Sequence, residues 1–208
     1  MTARVEHVVT SGVFSLDGQD FDVDNNVWLV GDDAEVLVID AAHDAEAIIT
    51  AVGGRRVVAL VCTHAHNDHV NVAGDLSGAW QLSPRLHPGD DVLWQLTNPA
   101  LAWSGLDDGE VISVAGVDLC ALLTPGHSPG SMCLYAEQLG TVFTGDTLFA
   151  GGPGATGRSY SDFPTIIDSI RSRLLILPAQ TSVRPGHGAT TTIGAEAPDV
   201  EEWLRRGS

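Results

Sequence analysis

Short β-branched apolar runs, each closed by a turn residue, dominate this chain and limit the folds open to it. Val5–Thr10, Asn26–Gly31, Glu35–Asp40 and Val57–Thr63 read as strands bounded by Gly, Asp or Asn. A second block repeats the pattern in Glu110–Ala115, Val117–Leu123, Ser131–Ala136 and Thr141–Gly145. Helical spacing is confined to a few segments. Asp44–Val52 opens on an Asp and stops at Gly53–Gly54, Phe163–Leu177 carries Pro164 in its first turn and ends before Pro178, and Ala197–Arg206 lies near the chain end. Strands in consecutive runs with helices between them favour sheets packed together and covered by helices over a doubly wound parallel sheet. There is no internal repeat and no low-complexity linker, so one domain over residues 1–208 is expected.

Charge excludes several classes of partner. The chain carries 27 Asp and Glu against 10 basic residues, a net charge of −17, and every basic residue is Arg. Such a surface repels nucleic-acid phosphates and anionic membranes, so neither is an expected partner. Cys62, Cys120 and Cys133 are few, odd in number and lack CxxC spacing, which points to a reducing, cytoplasmic setting. The opening MTARVEHVVTSGVF has no apolar run after a basic start, so no signal peptide is expected. No stretch approaches the roughly 18 apolar residues of a membrane span.

The chemistry is concentrated in the histidines. Thr63-His64-Ala65-His66-Asn67-Asp68-His69 places three imidazoles and a carboxylate within six residues. His64 and His66 stand two apart at the end of an apolar strand, which turns both imidazoles to one side. Asp68 and His69 follow in the turn just beyond. Clustered imidazoles with a carboxylate suit a borderline divalent metal such as zinc, and packing a core needs no such cluster. Three further candidates share one placement, where a strand gives way to a loop. They are His127 in TPGHSPG, Asp146 in TGDT and His187 in RPGHG. Five His and two Asp are too many for one tetrahedral zinc and about right for two metals. The loop Ala150–Ser161 (AGGPGATGRSYS) follows a strand of the site, where loops tend to carry function.

H-x-H-x-D-H, then the His of TPGHS, the Asp of TGDTLF and the His of PGHG strongly resemble the metallo-β-lactamase superfamily, in that order and from about Val5 to His187. GDTLF and the following Gly154–Pro164 stretch resemble its small glyoxalase II (hydroxyacylglutathione hydrolase) relatives. The resemblance implies an αβ/βα sandwich of two mixed sheets covered by helices, with metals at one edge. It implies two divalent metal ions, zinc being the expected metal and iron or manganese the alternatives. Carried over by motif, His64, His66 and His127 hold the first metal, and Asp68, His69 and His187 the second, with Asp146 bridging. Asp68 and Asp146 are the implied catalytic carboxylates. Two cations on one water depress its pKa enough to supply hydroxide near neutrality. Asp40 occupies the place of a carboxylate that supports a ligand, or else begins the next helical turn.

That resemblance implies a binuclear metal-dependent hydrolase acting on a small-molecule acyl thioester. Asp146 at the bridging position argues against antibiotic hydrolysis, and His66 argues against the oxygen-reducing di-iron relatives. A thiolate leaves without a strong general acid, because its conjugate acid has a pKa of about 8.5. Departures from full-length glyoxalase II concern the thiol. No C-terminal glutathione-binding helical domain is expected in the 21 residues after His187, and the family's glutathione-contacting Lys is absent. Arg158 is the nearest basic residue to the motifs and is expected either to bind a substrate carboxylate or to brace the loop. Glutathione, mycothiol, bacillithiol and coenzyme A stay open as the thiol. The main alternative is a persulfide dioxygenase-like sulfur oxidoreductase with one iron on His64, His127 and Asp146. A lactonase and a non-catalytic metal-binding module rank lower. His43 is placed near the rim of the site, His7 on a strand surface and His87 in a structural loop. Leu82–Leu106, marked by Trp80, Trp94 and Trp103, reads as either a lid or core.

Overall fold

The computed structural model describes residues 2–16 and 18–207; Met1 and Ser208, the ends of the expected 1–208 domain, and Asp17 lie outside the described residues. The chain begins with a long antiparallel hairpin of β1 (Arg4–Leu16) and β2 (Gln19–Gly31). There follow β3 (Glu35–Ile39), α1 (Ala45–Val52), β4 (Arg56–Val61), α2 (Asn67–Val70), α3 (Ala73–Trp80), β5 (Arg85–Leu86), α4 (Asp91–Thr97) and β6 (Ser104–Gly105). The second half holds β7 (Val111–Val114), β8 (Val117–Leu123), β9 (Met132–Ala136), β10 (Thr141–Gly145), β11 (Leu148–Phe149), β12 (Gly152–Pro153), α5 (Phe163–Ser169), β13 (Ser182–Pro185), β14 (Thr191–Thr192), α6 (Ile193–Glu196) and α7 (Val200–Arg206). Two mixed six-stranded sheets result, in the orders β1-β2-β3-β4-β5-β6 and β14-β13-β10-β9-β8-β7. No helix is long and apolar enough to cross a membrane among the described residues.

The near-continuous apolar runs arise because each sheet is buried on both faces. Trp28, Leu37, Ile39 and Val61 meet Leu119, Leu134 and Phe143 between the sheets. Their alternate neighbours Leu29, Val36, Val38 and Leu60 face the opposite way, onto α1, α3 and Trp94 of α4. Outside the second sheet, Val142 and Val183 pack on Ile166, Ile170 and Trp203. Four layers therefore stack as helix, sheet, sheet, helix, the αβ/βα sandwich of the sequence reading. Asp44 caps α1 by accepting from the Ala47 N–H at 2.9 Å, a contact worth about 1 kcal/mol.

Several elements differ from the sequence reading. The first two strands run far beyond Val5–Thr10 and Asn26–Gly31, because residues 11–16 and 19–25 continue the hairpin as a two-stranded ribbon, with the side chains of residues 11–15 and 19–24 mostly exposed. Cross-strand bonds such as Ser11 to Asp24 (2.6 Å) hold it, not core burial. The strand expected over Val57–Thr63 ends at Val61, so His64 and His66 stand on a loop beyond it. Phe163–Leu177 is α-helical only to Ser169 and then widens into a π-type turn over Ile170–Leu174. Leu82–Leu106 supplies two short parallel strands and α4, and Trp94 is fully buried in the core.

Candidate metal centre

The sandwich gathers five chain segments at one edge. β3 and β4 run parallel, so the loops after Ile39 and Val61 leave the first sheet at the same end. In the second sheet β8, β10 and β13 share one direction, so the loops carrying His127, Asp146 and His187 also leave together. Two backbone bonds join the sheets there, Met132 N–H to Thr63 O at 2.8 Å and Asn26 N–H to Gly186 O at 2.7 Å. The seven side chains singled out in the sequence all meet at this edge. Their candidate ligand atoms form three overlapping groups, each within 4.8 Å: His64, His66 and His127; His64, His69 and Asp146; Asp68, His69 and His187.

Partners outside the cluster orient the imidazoles. Thr63 Oγ1 donates to Asp40 at 3.0 Å, so it accepts from His64 Nδ1–H at 3.1 Å. His69 Nδ1–H donates to Asp40 Oδ2 at 2.9 Å, His127 Nδ1–H to Ala155 O at 2.9 Å, and His187 Nδ1–H to Asp24 O at 2.8 Å. In each of these four rings the Nε2 lone pair is therefore left facing the cluster. His64 Nε2 and Asp146 Oδ1 are buried and hydrogen-bond to no described residue. A buried lone pair without a donor is costly, and a cation satisfies it. Nitrogen-rich donors with two carboxylates match a divalent transition metal.

The electrostatics agree. Burial drives His64 well below the usual imidazole range, with His69 and His66 adding to the effect. Burial, then His127, pushes His66 down to about 3. Burial also opposes charge on His187, yet its bonds to Asp146 and Asp68 push it up to about 10. Burial opposes charge on His69 as well, but Asp146, Asp68 and Asp40 hold it well above the usual range. Burial works to raise Asp68, and His69, His187 and Asn25 instead bring it to about 2. Burial would likewise raise Asp146, but His69 and His187 hold it far below the carboxylate range. His69 Nε2 and His187 Nε2 lie 3.1 Å apart, a spacing that needs a proton between two lone pairs. Without metal, then, protons on His69 and His187 balance the charge of the ionised carboxylates.

Of the residues flagged around the site, Asp40 also accepts from the Thr63 N–H at 2.7 Å and takes a left-handed φ of 69°. These bonds hold that conformation, which a non-glycine residue adopts only when its surroundings require it. The helix cap nearby is Asp44, not Asp40. Arg158 is exposed and lines a cavity with His66 and His127. His43 stands one step away, bonded to Asn25, whose amide donates to Asp68 Oδ2 at 3.1 Å. His7 is exposed on the strand surface, stacked on Trp28 at 4.2 Å and bonded to Asn26. His87 caps the turn at Pro88.

Three supporting residues carried no sequence signal of their own. Asn25 is one of two adjacent asparagines before an apolar run, and nothing in the sequence tells it from a turn residue. Asp90 is buried, and accepts from Ala65 N–H (2.8 Å), Ser128 Oγ (2.8 Å) and Gly130 N–H (2.5 Å), tying the His64–His66 loop to the His127 loop. Burial raises its pKa. Gly186 leaves room for the site, since a Cβ there would collide with Asp146 Oδ1 and approach His69 Cε1 to 2.5 Å. A cavity of about 190 Å³ opens onto the cluster between Phe14 and Val23 of the hairpin and Phe149.

A four-layered sandwich with a His/Asp cluster at one sheet edge defines a class of metal-dependent hydrolases. The chain belongs to the metallo-beta-lactamase superfamily, whose family profile matches residues 21–205. It is 32% identical to a probable metallo-hydrolase of Bacillus subtilis, YqgX, over 83% of this chain and 88% of that one. It is 31% identical to the hydroxyacylglutathione hydrolase GloC of Haemophilus influenzae, over 82% and 89%. The crystal structure of TTHA1623, solved in a di-iron-bound form, superposes with a TM-score of 0.76 at 33% identity, covering 84% of this chain and 93% of that one.

Proposed function

We propose that this protein is a two-metal hydrolase of small acyl thioesters. The observation that carries the reading is the position of Asp146. Its Oδ2 lies 3.6 Å from His127 Nε2 and 3.4 Å from His187 Nε2, and its Oδ1 3.4 Å from His69 Nε2. One carboxylate thus reaches both ends of the cluster. His64, His66 and His127 would hold one metal, Asp68, His69 and His187 the other, with Asp146 shared between them. Two divalent metals, when bound, would acidify a water between them and polarise a carbonyl oxygen.

The chain's own residues set the rest. Asp40 and Thr63 hold the His64 and His69 rings in the ligating tautomer, and Asp90 fixes the distance between the two loops of the first site. Water adds to the thioester carbonyl and the C–S bond breaks. The products are a carboxylate, a thiol and one proton. Among the described residues, no buried acid outside the cluster lines the cavity, which suits a thiolate leaving group that needs little protonation. The likeness to GloC supports this substrate class. Zinc is the metal proposed, and the di-iron TTHA1623 keeps iron in the test.

The test combines metal analysis with a panel of lactoyl, formyl and acetyl thioesters on glutathione, coenzyme A and mycothiol. Two metals per chain with hydrolysis of at least one thioester is expected. One iron per chain, inertness on every thioester and oxygen consumption with a persulfide would overturn the reading. The full second triad, with His187 Nε2 3.2 Å from Asp68 Oδ2, favours two metals.

A further inference from the structure

Each of the two large sheets has two edges, and one of the four differs from the rest. β6 and β14 are two residues long and β7 four, too short to offer a ladder to another strand. β1 is thirteen residues long. Among the described residues it pairs with β2 alone, in a register that runs from Arg4 to Leu16 without a bulge. Every second residue of β1 therefore turns its N–H and C=O away from β2. No other described segment hydrogen-bonds to the β1 backbone. An edge this long and regular is a template for a further strand.

Charge separates this edge from its neighbour. Proteins keep a free edge from pairing with charged side chains, prolines or bulges. The other strand of the hairpin follows that rule. Residues 19–25 of β2 lie beyond its pairing with β3, which begins at Trp28, and they carry Asp20, Asp22 and Asp24. β1 has no such guard. Val8–Leu16 (VVTSGVFSL) holds neither a charged residue nor a proline, on a chain of net charge −17. Its Val9 is 54% exposed and its Val13 41%. Two copies of so acidic a chain repel over most of their surface, and a charge-free stripe is where contact between them is least opposed. The ribbon also lacks backing. A two-stranded hairpin is marginal in water without further strands or a core behind it. Residues 11–15 and 19–24 stand mostly exposed, outside the core.

We propose that β1 pairs antiparallel with β1 of a second copy of this chain, joining the two first sheets into one continuous sheet. The strand is complementary to itself. About a two-fold axis at Val9, Val9 meets its counterpart, Val5 meets Val13 and His7 meets Ser11. Apolar residues then face apolar ones and polar residues face polar ones, as cross-strand pairs require. Glu6 falls opposite Gly12, so no like charges meet. An isologous contact of this kind closes at two copies. The hairpin carries Phe14 and the Asp24 carbonyl to the metal centre, so the partner strand steadies that wall of the cavity in both copies. The dimer is independent of the chemistry proposed for the site.

Analytical ultracentrifugation of the full metal-loaded chain, at concentrations up to about 100 µM, is expected to find a concentration-dependent dimer. Val9→Lys, at an exposed position that leaves the core untouched, sets two like charges face to face and should weaken the dimer about tenfold or more. Val9→Asp should do the same. An equimolar mixture of the two variants should recover the dimer, because the pair across the axis then has opposite signs. Val111→Lys on the short edge β7, where the valine is 53% exposed, should leave the dimer unchanged. Added salt should tighten the dimer, since repulsion between the copies is screened and no charge pair holds them. A wild-type monomer throughout that range overturns the proposal. So does a dimer indifferent to Val9→Lys, a mixture that stays monomeric, a dimer that salt weakens, or assembly beyond two copies.

Discussion

Gly186→Ala puts the architecture of the metal centre to a sharp test. The glycine backbone is pinned on both sides, its N–H donating to Gly145 O at 2.8 Å and its O accepting from Asn26 N–H at 2.7 Å. An added methyl group therefore cannot be relieved by moving the loop. It would meet Asp146 Oδ1 and lie 2.5 Å from His69 Cε1, where ordinary contact begins at 3.4 Å. The His69 ring must retreat by roughly 0.9 Å, yet Asp40 holds it from behind at 2.9 Å. Overpacking of this kind costs about 1–3 kcal/mol. With roughly 2–4 °C of Tm per kcal/mol in a chain of this size, the metal-free variant should melt several degrees lower. The strain is greater once ligands are locked around metal, because His69 and Asp146 can no longer relax apart. If about 1.4–2.8 kcal/mol falls on the loaded state, metal affinity drops about 10- to 100-fold. Competition against a chelating dye reads this directly, with melting curves of both forms beside it. Wild-type affinity within threefold, in a variant melting within a degree of wild type, would show that His69 and Asp146 do not share a site bounded by Gly186.

Other perturbations separate the elements of the site. Asp146→Ala should lower occupancy of both metals, whereas His187→Ala should empty mainly one; elemental analysis after metal supplementation checks this, and two metals retained by Asp146→Ala would contradict the shared position. His187, raised to about 10 from 6.5, stabilises the metal-free fold fully below pH 6.5 and loses that contribution as pH climbs through 10. Metal-free protein should thus lose Tm over that window while metal binding tightens with pH and releases protons, measurable by calorimetry in buffers of different ionisation enthalpy; loading without proton release at pH 7 would refute it. Asp90→Ala strands two buried N–H groups and should cost about 3 kcal/mol, a Tm loss of roughly 6–12 °C, and a loss under 3 °C would show that Asp90 does not tie the two loops. Binding to DNA or RNA should be absent at about 0.15 M salt, and salt-sensitive micromolar binding would count against the charge argument.

Much of this protein was legible from residue types alone. Core strands betray themselves because a strand buried on both faces must be apolar at nearly every position, so β3, β4, β9 and β10 stood out. Metal-competent residues betray themselves because few other roles require His64, His66 and His69 within six positions. The resemblance of those motifs then implied the layered sandwich. Tertiary structure decided what depends on distant partners. The outer half of the β1–β2 hairpin, which brings Phe14 and the Asp24 carbonyl to the site, alternates Phe21 and Val23 with Asp20, Asp22 and Asp24, but it is held by cross-strand pairing and stands largely outside the core, so its short alternation did not tell where it would fold. Asp90 looks like any acidic residue beside a helix until Ala65, Ser128 and Gly130 surround it from segments 25 to 40 residues away. The orientation of each imidazole rests on Asp40, Thr63, Ala155 and Asp24, and backbone carbonyls have no residue type to read. Local sequence encodes burial and ligand chemistry, because those belong to single side chains. Direction and distance belong to the packing of one sheet edge against the other.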